Sequence, residues 1–366
     1  MDHCKSYLSC AFERIFSDTS STGFWDSANN RIHSKLIHDA NWSWSATNDY
    51  SDRYGVFTNS MILLSNLLFN NDISKYKTKI ILHLEYIKKN IHNFKKSDIT
   101  YGVFNTLVLG QILFEKEGSD FMDEIKELLT FLRKNIQKIT NNEDALILIG
   151  IGSYLNHINT SDVETKVYMN NIVQHLLKSQ NKHGIFNTGD IRATYHQRTM
   201  YVLWGLAFAS MHCKKDEIKK AIEKTIIQFW RKRRSNADNG LLWHPLIYLI
   251  RKKGVFFMPV FSHRSVSYLF ECHQTFFVNS ICFYNYFFDK NLFEDEKNKA
   301  LAWIFGENRL RKNLVEITGI NLPSRIMNLK GRLFIKNQQF KGSYEVGSYI
   351  LALAACEYFQ KKNFEH

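Results

Sequence analysis

Three short stretches of this sequence gather groups that could move protons or hold a charged ligand. The segment Asn187 to Ser210, NTGDIRATYHQRTMYVLWGLAFAS, sets Asp190, Arg192, Tyr195, His196, Gln197 and Arg198 directly before a nearly pure apolar run. Histidine titrates near neutrality, so His196 or Tyr195 could take up or return a proton beside an anion whose charge Arg192 neutralises. The plainer reading is that Asp190 caps a helix and His196 satisfies a core hydrogen bond. Six polar groups exceed what capping needs.

A second stretch, SYLFECHQTFFVNS, interrupts apolar surroundings with Glu271, Cys272, His273 and Gln274. Ionised carboxylates are almost never buried alone, so Glu271 must be paired, protonated or facing a cavity. A desolvated glutamate has a raised pKa and can serve as a general acid. The pair His273-Gln274 echoes His196-Gln197, which predicts equivalent positions on two helices and the two histidines across one pocket.

The third stretch, HDANWSWSATNDYSDRYG, holds Trp42, Trp44, Asp49, Asp52 and Arg53 ahead of another apolar run. Tryptophans can stack on sugar rings or on carbocations, and carboxylates beside them can exchange protons. Equally, the aspartates could cap the helix while the tryptophans pack on a rim. Glu345, in GSYEVGS, is either a second carboxylate opposite Glu271 or Asp190, or a first-turn glutamate favoured by the helix dipole. The candidates for proton transfer are therefore Glu271, Asp190, His196, Tyr195 and His273. Those for binding are Trp42, Trp44, Asp49, Asp52, Arg53, Arg192, Gln197, Gln274 and Glu345.

These groups need helices to position them. Tyr-Gly-Val-Phe occurs at Tyr54 and again at Tyr101, about 47 residues apart, which is the length of one helical hairpin. The first helix of each unit is apolar nearly all round, as in Met61 to Phe69, and the second is striped, as in Ile125, Leu129, Leu132 and Ile136. An all-apolar helix must be covered on every side, whereas a striped one covers others and faces water. Alternating inner and outer helices follow, with Lys5 to Phe16 a candidate outer helix that closes a ring. A short strand pair is expected near residues 332–340.

Composition agrees with a helical chain. It has 366 residues, 45% of them hydrophobic, and three prolines, Pro245, Pro259 and Pro323. The +13 formal charge suits an acidic partner such as an acidic polysaccharide, an anionic membrane or nucleic acid, although AT-rich coding accounts for it equally well. No nucleic-acid reader module is recognisable, so no nucleic-acid partner is expected. Six scattered cysteines and the lack of a signal-like or membrane-spanning run predict a reduced, cytoplasmic protein. No metal-ligand spacing and no phosphate-binding glycine loop is present, so neither metal nor cofactor is expected. The basic-aromatic segment 231–264 reads as an irregular insertion whose composition would suit peripheral membrane contact, with a solvated turn as the plainer alternative.

Six or seven such hairpins resemble an α/α toroid. ALAWIFGENRL, with Trp303, Gly306 and Asn308, followed by KGSYEVGSYILALAA, is similar to the final hairpin of six-hairpin glycosidase-type and polysaccharide-lyase-type toroids. The resemblance implies a single all-α toroid domain over residues 1–366 with its cavity at one end of the inner ring. It also implies an enzyme that hydrolyses, eliminates or epimerises an acidic oligo- or polysaccharide, Glu271 or Asp190 supplying the acid or base. An isoprenoid cyclase or transferase on the same scaffold, or a non-catalytic helical scaffold, are the alternatives.

Overall fold

The computed structural model describes residues 2–46, 52–182, 184–189, 195–233, 242–243, 268–328, 331–333 and 339–364. Twelve α-helices of eleven or more residues occur among the described residues. Six are inner: α2 (Arg53–Phe69), α4 (Phe104–Phe114), α6 (Ile147–His157), α8 (Tyr195–Ala209), α10 (Glu271–Phe288) and α12 (Ser343–Phe364). Six are outer: α1 (Asp2–Phe16), α3 (Lys77–Lys89), α5 (Met122–Asn135), α7 (Val163–Ser179), α9 (Lys215–Arg233) and α11 (Glu294–Ile304).

The inner helices pack in chain order, each on the next, and α12 returns to α2 to close the ring. Burial follows composition: α2 is enclosed without a break from Gly55 to Ser65, whereas α5 buries one stripe, Ile125, Leu128, Leu129 and Leu132. The N-terminal α1 packs on α12 and so supplies the sixth outer helix, as the sequence leads one to expect. Close approach is bought with glycine: a Cβ on Gly55 would lie 1.9 Å from the Ile32 carbonyl oxygen.

The Trp303 turn is built as the resemblance implies. Asn308 Nδ2 donates to the carbonyls of Trp303 (2.8 Å) and Lys312 (2.9 Å), and its Oδ1 accepts from Leu310 N (3.0 Å). Gly306 takes a φ of 129°, open to glycine alone at little strain.

Short strands decorate one end of the ring. β1 (Trp25–Asp26) pairs with β2 (Arg31–Ile32); β3 (Lys35–His38) lies between β4 (Trp44–Ala46) and β8 (Phe340–Gly342); β6 (Tyr268–Phe270) lies between β5 (Leu242–Trp243) and β7 (Ile326–Asn328). The strand pair expected near 332–340 falls largely outside the described residues; at its end Phe340 pairs with Ile37 of the N-terminal segment. Residues 334–338 and most of 231–264 lie outside the described residues.

Candidate active site at the mouth of the ring

The N-termini of all six inner helices follow an outer helix or a strand, so they share one end of the toroid. Below that end the axis is filled. Phe57 of α2 lies 5.8 Å from the Tyr201 ring and 6.3 Å from the Trp204 ring of α8, on the far side of the ring. Phe276 of α10 packs 5.3 Å from both. Tyr101 and Tyr201, from non-adjacent sides of the ring, share a buried hydroxyl contact of 2.8 Å. This aromatic plug means that a ligand can enter the axis only as far as the layer above it.

That layer is tyrosine flanked by charge. Tyr54 stands 4.5 Å from the Tyr344 ring and 6.3 Å from Tyr101. On one side Glu143 is clamped by Arg53 of α2 and by Arg198 of α8, whose Nη2 lies 2.8 Å from Oε1. The clamp has a local cause. Asn141 caps the 3-10 turn Asn142–Leu146 by accepting from Glu143 N (3.0 Å) and also takes Arg198 Nη1 (3.0 Å). The Arg53 guanidinium lies 4.0 Å over the Tyr101 ring, and its Nε is buried without a partner.

On the other side Glu345 accepts from Arg325 Nε (2.6 Å), the Tyr344 hydroxyl (3.1 Å) and Gly342 N (3.2 Å). Lys341 Nζ lies 3.6 Å from Glu345 and 2.5 Å from Glu271, whose Oε1 has no partner. Burial lifts Glu271 to about 7, with Lys341 opposing and Glu345 adding to the shift. Burial raises the Tyr54 phenol; Arg53 and Arg325 pull it down while Glu143 and Glu345 push it up, so it sits between both clusters. It is protonated at neutral pH and available as a donor.

Each sequence candidate has a definite place or lies outside the described residues. Arg53 and Glu345 stand at the mouth, on opposite sides. Glu271 is fully enclosed between α10 and β8. His273 is buried against Phe270 (4.9 Å between rings) with Nδ1 unpartnered, and burial, aided by Arg325, pushes it down to about 3, so it is a neutral imidazole. Gln274 donates to the Phe270 carbonyl one turn back (3.0 Å). Asp52 does not cap α2: it is held by Arg31 and by the Tyr86 hydroxyl (2.5 Å), which directs it to the outer layer. Trp42 stacks on His38 (4.3 Å), Trp44 packs tilted against it (4.7 Å), and Trp44 Nε1 donates to the Thr318 carbonyl (2.9 Å). Asp49, Asp190 and Arg192 lie outside the described residues, as do the side chains of Tyr195, His196 and Gln197. The pairing of His196 with His273 thus falls outside them too. The backbone of α8 nevertheless begins at this mouth.

Sequence reasoning missed Glu143, Tyr101, Arg325, Lys341 and Tyr344. The doublet Glu143-Asp144 just before an inner helix was the available signal for the first. Tyr101 was visible as the repeat partner of Tyr54.

No family model matches the sequence, and neither does any curated protein sequence. Solved structures do match in shape. The chain is similar to a polysaccharide lyase (TM-score 0.60, 10% identity, 98% of each chain covered). It is similar also to an unsaturated glucuronyl hydrolase variant from Streptococcus agalactiae (TM-score 0.59, 11% identity, 96% of this chain and 91% of that one). A third is an inactive variant of an α-1,6-mannanase of Salegentibacter sp. HEL1_6, with two aspartates replaced by alanine, in complex with α-1,6-mannotetraose (TM-score 0.55, 8% identity, 97% and 99% covered). The fold is an α/α toroid of six helical hairpins, which the chain shares with these enzymes. With sequence identities this low, shape is what the chain shares with these enzymes.

Proposed function

We propose that this protein is an enzyme acting on an acidic oligo- or polysaccharide at the mouth of the ring. The observation that carries the reading is Tyr54, placed between the Arg53–Glu143–Arg198 clamp and the Arg325–Glu345 pair above a closed aromatic floor. Guanidinium groups match carboxylates in bidentate geometry and stay charged at every working pH. The tyrosine layer offers flat surfaces to sugar rings and hydroxyls to their oxygens. A purely apolar pocket would suit an isoprenoid; the charged walls favour a carbohydrate.

In this reading the partly exposed Arg53 guanidinium binds the substrate's acidic group, and Tyr54 donates or accepts the proton that moves as the glycosidic bond breaks. Glu143 and Glu345 hold the arginines in register and can take part as acid or base. Asp190, Arg192, Tyr195 and His196 precede or begin α8 in the sequence and are further candidates. The likeness to a lyase, a glucuronyl hydrolase and a mannanase supports a carbohydrate substrate. In the mannanase two aspartates were replaced in the inactive variant, and Glu143-Asp144 is the doublet of carboxylates that heads an inner helix here.

The test is to incubate the protein with a panel of uronate-containing oligosaccharides while following reducing ends and the ultraviolet absorbance of a new C4–C5 double bond. Absorbance with reducing ends means elimination; reducing ends alone mean hydrolysis. Tyr54→Phe should lower the rate at least about 100-fold, the size of one lost acid–base group, and Arg53→Gln should raise KM for the acidic substrate. Full activity in both variants would overturn the site.

A further inference from the structure

Glu271 and Glu345 are both fully enclosed, and one buried lysine serves both. Lys341 Nζ stands 2.5 Å from Glu271 Oε2 and 3.6 Å from Glu345 Oε2, so it hydrogen-bonds the first and only faces the second. Their other partners are unequal. Glu345 accepts from Arg325, from the Tyr344 hydroxyl and from the Gly342 amide, whereas Glu271 has Lys341 and a bare Oε1. A buried carboxylate with one donor holds its charge less well than one with three, so of the two it is Glu271 that takes up a proton; burial lifts it to about 7. Together Glu271, Glu345, Lys341 and Arg325 carry no net charge while Glu271 is ionised and one positive charge once it is protonated. That change borders the mouth, because Glu345 holds the Tyr344 hydroxyl and the Tyr344 ring lies 4.5 Å from Tyr54. The other groups near Glu271 stay uncharged around neutral pH: burial keeps the Tyr344 and Tyr349 phenols and the Cys272 thiol protonated and the His273 imidazole neutral. Helix α8 meets α10 through Tyr201 and Trp204, while α9 and α11 bring Glu223 and Lys297 to its other end, beside Tyr284 and Cys282.

We propose that Glu271 is a positioning residue whose proton sets, through Lys341, the charge of this wall of the mouth and so its grip on an acidic sugar. The proposal rests on the reading above and adds regulation to it. Glu271 touches no substrate. With its proton in place, Lys341 has only Glu345 to neutralise, and the wall is positive toward a uronate. As pH rises and the proton leaves, Lys341 is claimed by Glu271, the positive charge is cancelled, and the acidic ligand is held less tightly. The competing explanation is that Glu271 and Lys341 only tie α10 to β8. It predicts a pH-dependent stability and an affinity indifferent to the state of Glu271.

The experiment measures binding of the uronate panel, trigalacturonic acid included, by calorimetry at about pH 5.5 and about pH 8.5, where the ligand carboxylates are ionised throughout. Maltotriose is the uncharged reference. The wild type is compared with Glu271→Gln, which keeps the shape without the titrating proton, and thermal unfolding checks that both are folded at each pH. Infrared spectroscopy follows the carbonyl band of a protonated buried carboxyl in the wild type over the same interval. The expected result is that affinity for the acidic ligand falls about fivefold more in the wild type than in Glu271→Gln, while the infrared band disappears. The comparison cancels titrations that the two proteins share. Equal pH dependence in the two folded proteins overturns the switch and leaves the active-site reading standing. A band that persists at the alkaline end overturns the switch too, without recourse to the variant. Affinity that depends on Glu271 in this way, in a protein that cleaves no member of the panel, sustains the switch and overturns the enzymatic reading. A wild type that binds no acidic oligosaccharide at either pH overturns both.

Discussion

Glu271 is where residue chemistry and stability meet. It is fully enclosed, and its Oε2 faces a lysine that is itself 1% exposed. Burial sets the carboxyl near 7, against an ordinary value of 4.5. Between those values the folded protein binds a proton that the unfolded chain has released. Linkage then requires the contribution of Glu271 to stability to fall as pH rises from about 4.5 to about 7, and to level off above. Glu271→Gln keeps the shape and an acceptor for Lys341 but does not titrate, so its stability should lack this slope. Denaturant unfolding at about pH 5 and about pH 7.5 measures both proteins, and the difference between them isolates this group from other titrations. A gap that stays constant with pH would mean that Glu271 is ionised throughout. His273, held near 3, stays neutral in the folded protein while the unfolded chain takes up a proton below about 6.5, so it contributes the opposite slope, which cancels in the comparison.

At the level of elements, how much could be read from the sequence depended on periodicity. Inner and outer helices differ in whether apolar residues cover all sides or one, and that signal is local, so the order α2 to α12 could be read directly. The strands could not. β1, β2, β5, β6, β7 and β8 have two or three residues each, too short for alternation to register, and β3 pairs with β8 across most of the chain. The site divides the same way. Arg53 and Glu345 were legible because they begin inner helices; Arg325 and Lys341 were not, because Arg325 directly precedes the short strand β7 and Lys341 lies within the three-residue strand β8, both placed by distant partners. Asp52 shows the converse: its type and position suggested the site, but a partner from β2, Arg31, claims it. The Trp303 turn was legible and makes a firm prediction. Asn308→Ala removes three hydrogen bonds, two of them to backbone carbonyls that no other side chain is shown to reach. The expected cost is about 2 kcal/mol, read as a lower denaturation midpoint with an unchanged slope. A loss of under about 0.5 kcal/mol would mean that the turn is held by Gly306 and packing alone.

For the whole molecule the decisive feature is that, among the described residues, aromatic side chains fill the axis of the ring. Trp204 lies at its centre, touching Phe57, Tyr201, Phe276 and Phe283, with its Nε1 donating to Ser280 Oγ (3.0 Å). It thereby joins α2, α8 and α10 and supports the Tyr101–Tyr201 pair beneath the mouth. Trp204→Ala would leave a cavity lined by aromatic carbon, which close-packed neighbours fill only in part. The expected destabilisation is about 4 kcal/mol. An apolar cavity of that kind stays dry and takes up apolar molecules, so indole should raise the melting temperature of the variant and not of the wild type. Activity offers the second readout. If the plug is a rigid floor, the variant should lose kcat at temperatures where it is fully folded, because Tyr201 and Tyr101 lose their support, and indole should restore part of it. If catalysis in the folded variant equals that of the wild type, the floor is merely a core. The mouth would then be positioned by its ion pairs alone, since Arg53, Glu143 and Arg198 tie α2, the turn before α6 and α8 together above the plug.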